Sequence, residues 1–351
     1  MRLDQALKKI SPPAPAAEAA AQKRLDSLTK PPGSLGRLED LGRRVAGIQG
    51  SVPPRLGKKI LFVFAADHGV AAEGVSAYPK EVTAQMTYNF LRGGAAINVL
   101  ARHAGVDVRV VDAGVDHDFP PLENLRALNI RRGTDNFARG PALARAEAER
   151  SVEAGLGLAE EAAREKPLLL GVGEMGIANS TAAAAILCAL TGAAPRDVTG
   201  RGTGVDEAGW ARKVAAIENG LELNRPDARD PLDVLTKVGG LEIGAMAGAI
   251  LGAAAFGVPM VLDGYISGAA ALLAHRLCPG VKDYLFAAHL SAENGHRAML
   301  NEIGLSPLLD LGMRLGEGTG ACLAMGLIEA GVKIMGEMAT FDSAGIAGKV
   351  S

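Results

Sequence analysis

Short apolar runs of strand length recur along the chain, and each of them ends in polar residues or glycine. These runs span residues 59–69, 107–114, 167–176, 258–264 and 283–291. Segments with the length and pattern of helices lie between or after them, at 80–103, 141–165, 178–191, 206–221, 231–256, 264–278 and 293–303. Strands that alternate with helices are typical of a parallel sheet with helical crossover connections. The pattern therefore predicts an α/β fold built on a parallel sheet.

Both ends of the chain show helical patterns outside this alternating region. Residues 15–28 and 34–48 precede the first strand, and the chain is again helical and glycine-rich after about residue 305. A length of 351 residues favours two domains over one. We therefore expect a small, discontinuous helical domain formed by residues 1–58 and 305–351, packed against a large α/β domain of residues 59–304.

The run 243–262 has 20 residues without a charge, which is long enough to cross a bilayer. Its residues are mostly Gly and Ala, which contribute little transfer free energy, and Gly244, Gly248 and Gly252 would let two helices approach closely. Pro259 divides the run into a helix and a short strand. We therefore predict a buried helix followed by a strand, and no membrane span.

Charge and cysteine content exclude some classes of protein. The 37 Lys and Arg residues are balanced by 39 Asp and Glu residues, so no positive excess is present to neutralise a nucleic acid backbone. The three cysteines are far apart and lack metal-binding spacing, which fits a reducing compartment. The charged start, MRLDQALKKI, is not followed by an apolar signal core. We therefore expect a cytoplasmic protein that binds no nucleic acid.

Polar side chains stand at the ends of the predicted strands. They are Asp67, His68, Asp112, Glu174, Asp263 and Ser291. In open parallel sheets, ligands bind beyond the carboxyl ends of the strands, where loops from several strands converge. We therefore expect these side chains to line one crevice. The alternative is that the Asp and Gly residues here only terminate strands and cap helices.

The segment 171–176, GVGEMG, follows a strand and precedes a helix, as the dinucleotide-binding motif G-x-G-x-x-G does. Two features disagree with that motif: Glu174 would place a negative charge in the turn that receives a pyrophosphate, and the later acidic residue, Asp197, follows Pro-Arg in a loop. An NAD-dependent dehydrogenase is therefore only an alternative to the main interpretation. Asn179, Ser180 and Thr181 are able to cap the next helix, whose free N–H groups can hold one phosphate. Capping alone is the other interpretation.

A second glycine-rich loop, 199–204 or TGRGTG, directly precedes a predicted helix that opens at Asp206. Glycines let successive backbone N–H groups surround an anion, and Lys213 lies further along this helix, where side chains lean back toward its start. The alternative is a surface turn with a solvated lysine. The sequence has neither a GxxxxGK[ST] motif nor paired acidic residues near these loops to hold Mg²⁺ on a diphosphate. We therefore expect a monophosphate ligand and no metal.

A third loop, 315–320 or LGEGTG, places Glu317 between glycines before another predicted helix. A carboxylate without bulky neighbours is suited to a general base, although a glutamate at a helix start is often only a partner of the helix dipole. The segment 78–86, YPKEVTAQM, combines aromatic, amide and apolar side chains, which suits a flat heterocycle. Its alternative is the start of a core helix.

The combination of motifs is more specific than any one of them. It comprises TKPPGSLGRLE (29–39), AADHGVAAEGVSAYPKEVTAQM (65–86), GEMGIANSTAAAA (173–185), TGRGTG (199–204), LDGYISGAAAL (262–272) and LGMRLGEGTGACLAM (311–325). With these motifs the chain closely resembles the nicotinate-nucleotide:dimethylbenzimidazole phosphoribosyltransferase family. The resemblance implies a Rossmann-like sheet domain, a small helical domain from both termini, and a homodimer with active sites near the interface. It also implies transfer of the 5-phosphoribosyl group from nicotinate mononucleotide to 5,6-dimethylbenzimidazole, with inversion at C1′.

The resemblance also implies residue roles, position by position. Glu317 is expected to be the catalytic base that takes a proton from the benzimidazole. The expected contacts to phosphate, ribose and base are Glu174, Gly176, Asn179, Ser180, Gly202, Thr203, Lys213, Ser291, Tyr78 and Gln85, the last two in the base pocket. Since the pyridinium nitrogen of the donor becomes neutral as it leaves, neither a metal nor a cofactor is expected. A non-catalytic nucleotide sensor is a further alternative, beside the NAD-dependent dehydrogenase.

Overall fold

Six parallel strands form the centre of the computed structural model, which describes residues 1–347. The strands are β1 (Lys59–Ala66), β2 (Val106–Gly114), β3 (Leu125–Ala127), β4 (Leu169–Met175), β5 (Met260–Leu262) and β6 (Leu285–Ala287). Their order is β3-β2-β1-β4-β5-β6, which is the strand order of a doubly wound nucleotide-binding sheet. The order reverses between β1 and β4, so a ligand crevice is expected beyond their carboxyl ends. The predicted α/β fold with a Rossmann-like parallel sheet is confirmed.

Helices connect the strands and cover the sheet. They are α1 (Leu3–Lys9), α2 (Pro15–Asp26), α3 (Arg37–Gln49), α4 (Val82–Leu91), α5 (Ala96–Ala104), α6 (Arg145–Ala163), α7 (Asn179–Thr191), α8 (Pro195–Val198), α9 (Glu207–Asn224), α10 (Pro231–Val238), α11 (Leu241–Ala255), α12 (Tyr265–Leu277), α13 (His296–Ile303), α14 (Thr319–Glu337) and α15 (Phe341–Ala344). Short 3₁₀ helices lie at Gly69–Glu73 and Pro279–Tyr284.

Two segments predicted as single helices are each divided at glycines. Residues 80–103 form α4 and α5, with the break at Gly93, whose φ of +78° does not continue a helix. Residues 231–256 form α10 and α11, because the backbone is extended at Gly239 and Gly240. Gly240 also packs against the ring of His68, which a Cβ there would overlap. No sequence pattern predicts α1, α8 or β3, and β3 is a partly exposed strand of only 3 residues.

Helices from the two ends of the chain pack on each other. A small core joins α2 and α3 to α14 through Ala21, Leu25, Leu28, Ala46 and Met335. The close approach of α3 to α14 requires Gly42, where a Cβ would lie 2.7 Å from the carbonyl oxygen of Gly331. However, α14 also packs against α5 and β4, so this layer is continuous with the main core. The division into 1–58 with 305–351 and 59–304 therefore stays a prediction, and its residues 348–351 lie outside the described residues.

The uncharged run 243–262 forms α11 and then β5, as predicted. Every residue of α11 is buried, and Gly248 lets it pack directly on the backbone of Val152 in α6. Among the described residues, one helix has the length and composition to cross a membrane, the 19-residue α14, with a mean hydropathy of 1.3. It packs against α3 and α5, and 56% of that apolar window is buried inside the fold, so it is a core helix here.

Candidate active site

A cavity of about 360 Å³ opens where the carboxyl ends of β4 and β5 meet the glycine-rich loops. Predicted site residues that line it are Tyr78, Glu174, Gly176, Asn179, Ser180, Gly202, Thr203 and Ser291. Larger cavities of about 710 Å³ and 690 Å³ lie beside α3 and beside the segment after β2. We place the site in the smaller cavity because buried carboxyl groups and glycine-rich loops converge there, and ligand sites are defined by such polar groups.

Glu317 stands on a left-handed turn between two glycines. Its φ is +62°, and those of Gly316 and Gly318 are +89° and +88°. Its backbone N–H donates to the carbonyl oxygen of Glu174, and its Oε2 accepts from the backbone N–H of Ile97, each over 3.2 Å. Burial raises the pKa of the Glu317 carboxyl above its ordinary range, which makes the carboxylate a stronger base.

The carboxyl group of Glu317 lies against the start of α5. Ile97 is in the first turn of α5, where backbone N–H groups have no partner within the helix. Glu317 therefore does interact with a helix start, but not with that of α14, which it precedes. Leu315 and Gly316 line the cavity and Glu317 follows them directly, although Glu317 is not itself a lining residue.

Glu174 ends β4 with a buried carboxyl group. Asn179 donates from Nδ2 to its Oε2, and Gly316 lies so near its Oε1 that a Cβ there would overlap it. Burial raises the pKa of Glu174 to about 8, and the negative charges of Asp263 and Glu317 act in the same direction. Glu174 is therefore mostly protonated at pH 7, where its carboxyl group carries an O–H.

A buried cation lies beneath the loop 199–204. Lys213 is 1% exposed, and its Nζ donates to Ser180 Oγ over 2.9 Å. A Cβ on Gly202 would lie 2.7 Å from both of these atoms, so the loop approaches them only with glycine there. Burial lowers the pKa of Lys213 to about 8, which leaves it mostly protonated at pH 7. Arg201, Thr203 and Gly204 of the loop are exposed, as in the surface-turn alternative, but the lysine of that alternative is buried rather than solvated.

Asn179 and Ser180 do not cap α7. The residue before the helix is Ala178, with φ of +77°, and no side chain caps the first turn. The two side chains instead contact Glu174 and Lys213. These two neighbouring residues therefore link the Glu174 carboxyl group to the Lys213 ammonium group. The interpretation of their side chains as helix caps is wrong.

Ser291 is fixed by a histidine of α13. Its backbone N–H donates to His296 Nδ1 over 2.9 Å, and its Oγ accepts from the backbone N–H of Glu293. Burial lowers the pKa of His296 to about 3, so the ring stays neutral and its nitrogen remains an acceptor. This bond holds the segment through which Ser291 and Glu293 line the cavity.

The polar residues at the strand ends do not share one crevice. Glu174, Asp263 and Ser291 line the 360 Å³ cavity. Asp67 lines a separate cavity of about 240 Å³, and Asp112 lines the 690 Å³ cavity. The helix α4 packs against β1, β2 and β4, and it divides this edge of the sheet.

Gln85 and His68 also lie apart from the candidate site. Gln85 lines the 240 Å³ cavity. Of the two residues expected in the base pocket, only Tyr78 therefore borders the candidate site, and it is 55% exposed. His68 is buried, with its Nε2 2.7 Å from Oε1 of Glu242. Its ring would lie 3.4 Å from a Cβ on Gly176, so it supports the loop rather than facing the cavity.

Other lining residues were not expected from the sequence. They are His289, Glu293, Arg314, Leu315 and Tyr265, among others. Arg314 and Leu315 belong to the LGMRLGEGTG motif, and His289 lies two residues before the end of the apolar run 283–291. The motif and the strand end were therefore the available signals, but neither indicates which side chain faces inward.

The segment 171–176 is packed against protein at each of its glycines. A Cβ on Gly171 would lie 2.5 Å from the Met325 side chain, and one on Gly176 would lie 2.5 Å from the carbonyl oxygen of Ala66. A Cβ on Gly173 would overlap the backbone N of Gly318. In dinucleotide-binding folds the second glycine gives the pyrophosphate access to the backbone. Here the chain itself fills that space, which does not support the dehydrogenase alternative.

Comparison with known proteins identifies the family of this chain. Residues 10–346 match the phosphoribosyltransferase family. Proteins named nicotinate-nucleotide--dimethylbenzimidazole phosphoribosyltransferase from Geotalea uraniireducens and Geobacter sulfurreducens are 59% and 60% identical, each over 98% of this chain and 98% of their own length. The crystal structure of the Thermus thermophilus protein of that name is 49% identical, with a TM-score of 0.90 over 96% of this chain and 100% of that one. The chain therefore belongs to the phosphoribosyltransferase family.

Proposed function

We propose that this protein transfers the 5-phosphoribosyl group of nicotinate mononucleotide to 5,6-dimethylbenzimidazole, giving nicotinate and α-ribazole 5′-phosphate. Support comes from relatives of that name at 59% and 60% identity over nearly the full chain. The observation that carries the proposal is Glu317, a buried carboxylate on a glycine-flanked left-handed turn next to the cavity. A cytoplasmic location and a homodimer stay predictions.

The donor phosphate binds at Lys213 in this proposal. The Lys213 ammonium, the Ser180 hydroxyl and the backbone of Gly202 lie within contact of one another. Ser180, Gly202, Thr203 and Ser291 line the cavity, and the buried Lys213 lies behind Ser180 and Gly202 without lining it. The Gly202 N–H donates to Glu293 Oε2 over 3.2 Å, so the donors that remain for a monophosphate are the Lys213 ammonium and the Ser180 hydroxyl. Hydrogen bonds to charged groups are the stronger ones.

The ribose lies between the phosphate group and the Glu317 turn. Glu174 is mostly protonated at pH 7, and its O–H group donates to the ribose. Asn179 keeps that carboxyl group in place. Gly176 lines the cavity through its backbone, because its missing side chain lets this segment pack against Ala66 and His68. Holding the sugar between two heterocycle sites turns the reaction into an effectively unimolecular one, which supplies a large part of the acceleration.

The bond changes balance without a further reactant. The lone pair of one benzimidazole nitrogen attacks C1′ while the bond from C1′ to the pyridinium nitrogen breaks, and that electron pair neutralises the departing ring. The proton on the other benzimidazole nitrogen passes to the Glu317 carboxylate. As positive charge develops on the ribose, the same carboxylate stabilises it. Attack on the face opposite the leaving group inverts C1′, so a β-linked donor gives an α-linked product.

Incubation of the protein with nicotinate mononucleotide and dimethylbenzimidazole, followed by chromatography of released nicotinate, tests this function. Glu317→Gln is expected to lower kcat by at least about 100-fold, since general-base catalysis contributes that much, with little change in the KM for the nucleotide. Glu337→Gln, an exposed change on α14, is the control and is expected to keep full turnover.

The other outcomes assign the alternatives. Nucleotide binding without nicotinate release indicates a sensor. An absorbance change at the reduced nicotinamide band, in a separate incubation with NAD and an alcohol or acid as hydride donor, indicates a dehydrogenase. Near-full turnover in Glu317→Gln removes Glu317 from the mechanism.

A further inference from the structure

Asp263 links the end of β5 to the segment that follows Glu317. Its Oδ2 accepts from the backbone N–H of Gly318 over 3.1 Å. Its Oδ1 accepts from the backbone N–H groups of Gly320 and Ala321 over 2.7 Å and 3.1 Å. The side chain is 2% exposed, so these three bonds form away from water.

These bonds replace a local helix cap. The helix α14 begins at Thr319, and its capping residue, Gly318, has no side chain to accept from the free N–H groups of the first turn. A carboxylate at a helix start also interacts favourably with the helix dipole. Asp263 therefore holds the start of α14 from a neighbouring strand.

The same bonds fix the turn that carries Glu317. Glu317 has its own N–H held by the carbonyl oxygen of Glu174 on β4, and the next N–H, that of Gly318, is held by Asp263 after β5. A non-glycine residue at a φ of +62° is strained and persists only where its surroundings impose it. The two anchors stand on adjacent strands and supply that constraint.

We propose that Asp263 is a positioning residue whose carboxylate holds the Glu317 turn in the geometry from which Glu317 reaches the acceptor base. This inference rests on the proposed function. Asp263 acts through the backbone of Gly318 rather than on the reacting atoms. This positioning role accounts for the Asp263 carboxylate, which is buried and lines the cavity while its oxygens accept hydrogen bonds from the protein backbone.

The groups that face Asp263 define what else a substitution changes. His289 Nε2, from the segment after β6, lies 3.9 Å from Oδ1. The charge of Asp263 acts on the carboxyl groups of Glu174 and Glu317 and on the thiol of Cys322, raising the pKa of each. Removing this charge is therefore expected to lower the pKa of Glu317.

Asp263→Asn tests the proposal. With its amide oxygen toward Gly320 and Ala321, the new side chain keeps the bonds to α14, but its NH₂ group then faces the N–H of Gly318, and two donors cannot pair. We expect kcat to fall at least tenfold with the KM for nicotinate mononucleotide within twofold of wild type. We also expect the acidic limb of the kcat–pH profile to move to lower pH, which loss of folded protein does not produce.

Asp230→Asn is the matched control, because Asp230 caps α10 through the backbone N–H groups of Leu232 and Asp233. We expect it to leave kcat and the pH profile unchanged. Should Asp263→Asn not fold, Asp263→Glu keeps the charge but displaces the carboxylate, and is expected to lower kcat without moving the acidic limb.

Wild-type kcat in either Asp263 variant overturns the positioning role. A rise in KM without a fall in kcat also overturns it, since Asp263 would then bind the nucleotide. Absence of nicotinate release by the wild-type protein counts against the proposed function instead, so the two failures are distinguishable.

Discussion

The backbone N–H of Glu317 donates to the carbonyl oxygen of Glu174 over 3.2 Å. The side chain of Glu174 packs against Gly316, where a Cβ would overlap its Oε1. One residue at the end of β4 therefore supports the Glu317 turn through its backbone and through its side chain. The chemistry at Glu317 should consequently respond to changes on β4 that do not touch the ligand.

Glu174→Gln is expected to keep kcat within about threefold at pH 7, a difference below about 0.7 kcal/mol. The reason is that burial raises the pKa of Glu174 to about 8, so the wild-type group is neutral at pH 7 and an amide resembles it. Steady-state turnover at pH 7 measures this. A loss as large as that of Glu317→Gln would show that Glu174 works as a carboxylate.

The same variant changes how stability depends on pH. Between its ordinary pKa near 4.5 and about 8, the folded protein keeps a proton on Glu174 that the unfolded chain releases, so wild-type stability falls as pH rises, by up to about 1.4 kcal/mol per pH unit. Glu174→Gln has no titrating group at this position, so its stability lacks this pH dependence. The difference between its melting temperature and that of wild type should therefore increase in its favour from pH 5 to pH 8. A difference that stays constant over this range would contradict the expectation.

Gly173→Ala should slow turnover at least tenfold, although residue 173 does not line the cavity. A Cβ at this position would lie 2.5 Å from the carbonyl carbon of Glu317 and would overlap the nitrogen of Gly318, so the base turn must shift. Overpacking of this kind costs about 1–3 kcal/mol. Kinetics and thermal melts measure both effects.

Gly157→Ala is the matched control for that change. Gly157 lies in α6, and nothing lies within 4 Å of a Cβ placed there. Since alanine is favoured over glycine in helices by about 1 kcal/mol, this variant should be as stable as wild type or more so, with unchanged kcat. Equal effects of the two substitutions would show that the Gly173 contact has no special role.

The strands and glycine-rich loops were predictable because their signals are local. An apolar run that ends at Glu174 or Asp263 needs no knowledge of its neighbours to be identified as a strand, and glycines around Glu317 indicate an unusual backbone directly. The break at Gly239 and Gly240 was missed although a Gly-Gly pair is a local turn signal. The packing of Gly240 against the ring of His68 was not predictable, because His68 is distant in sequence.

The division of the strand edge into separate cavities was likewise not predictable from the sequence. Asp67 follows β1 and Glu174 lies near the end of β4, yet they line different cavities, and α4 packs against both strands. The contact of Asp263 with the start of α14 depends on β5 lying beside the Glu317 turn. Sequence patterns indicate which residues end strands, but not which backbone groups those residues reach.

The affinity for nicotinate mononucleotide should fall above pH 8, because Lys213 loses its charge there. Burial lowers the pKa of Lys213 to about 8, and the nearby charge of Glu293 partly offsets this effect. Deprotonation removes the cation that faces the phosphate, so KM should rise toward a tenfold increase per pH unit above about 8, as expected for loss of one proton.

Lys213→Arg keeps its charge over this range and should remove the alkaline limb, although its larger head group raises KM at every pH. Lys333→Arg, half-exposed on α14, should leave the limb in place, and an alkaline limb that persists in Lys213→Arg would assign it to another group.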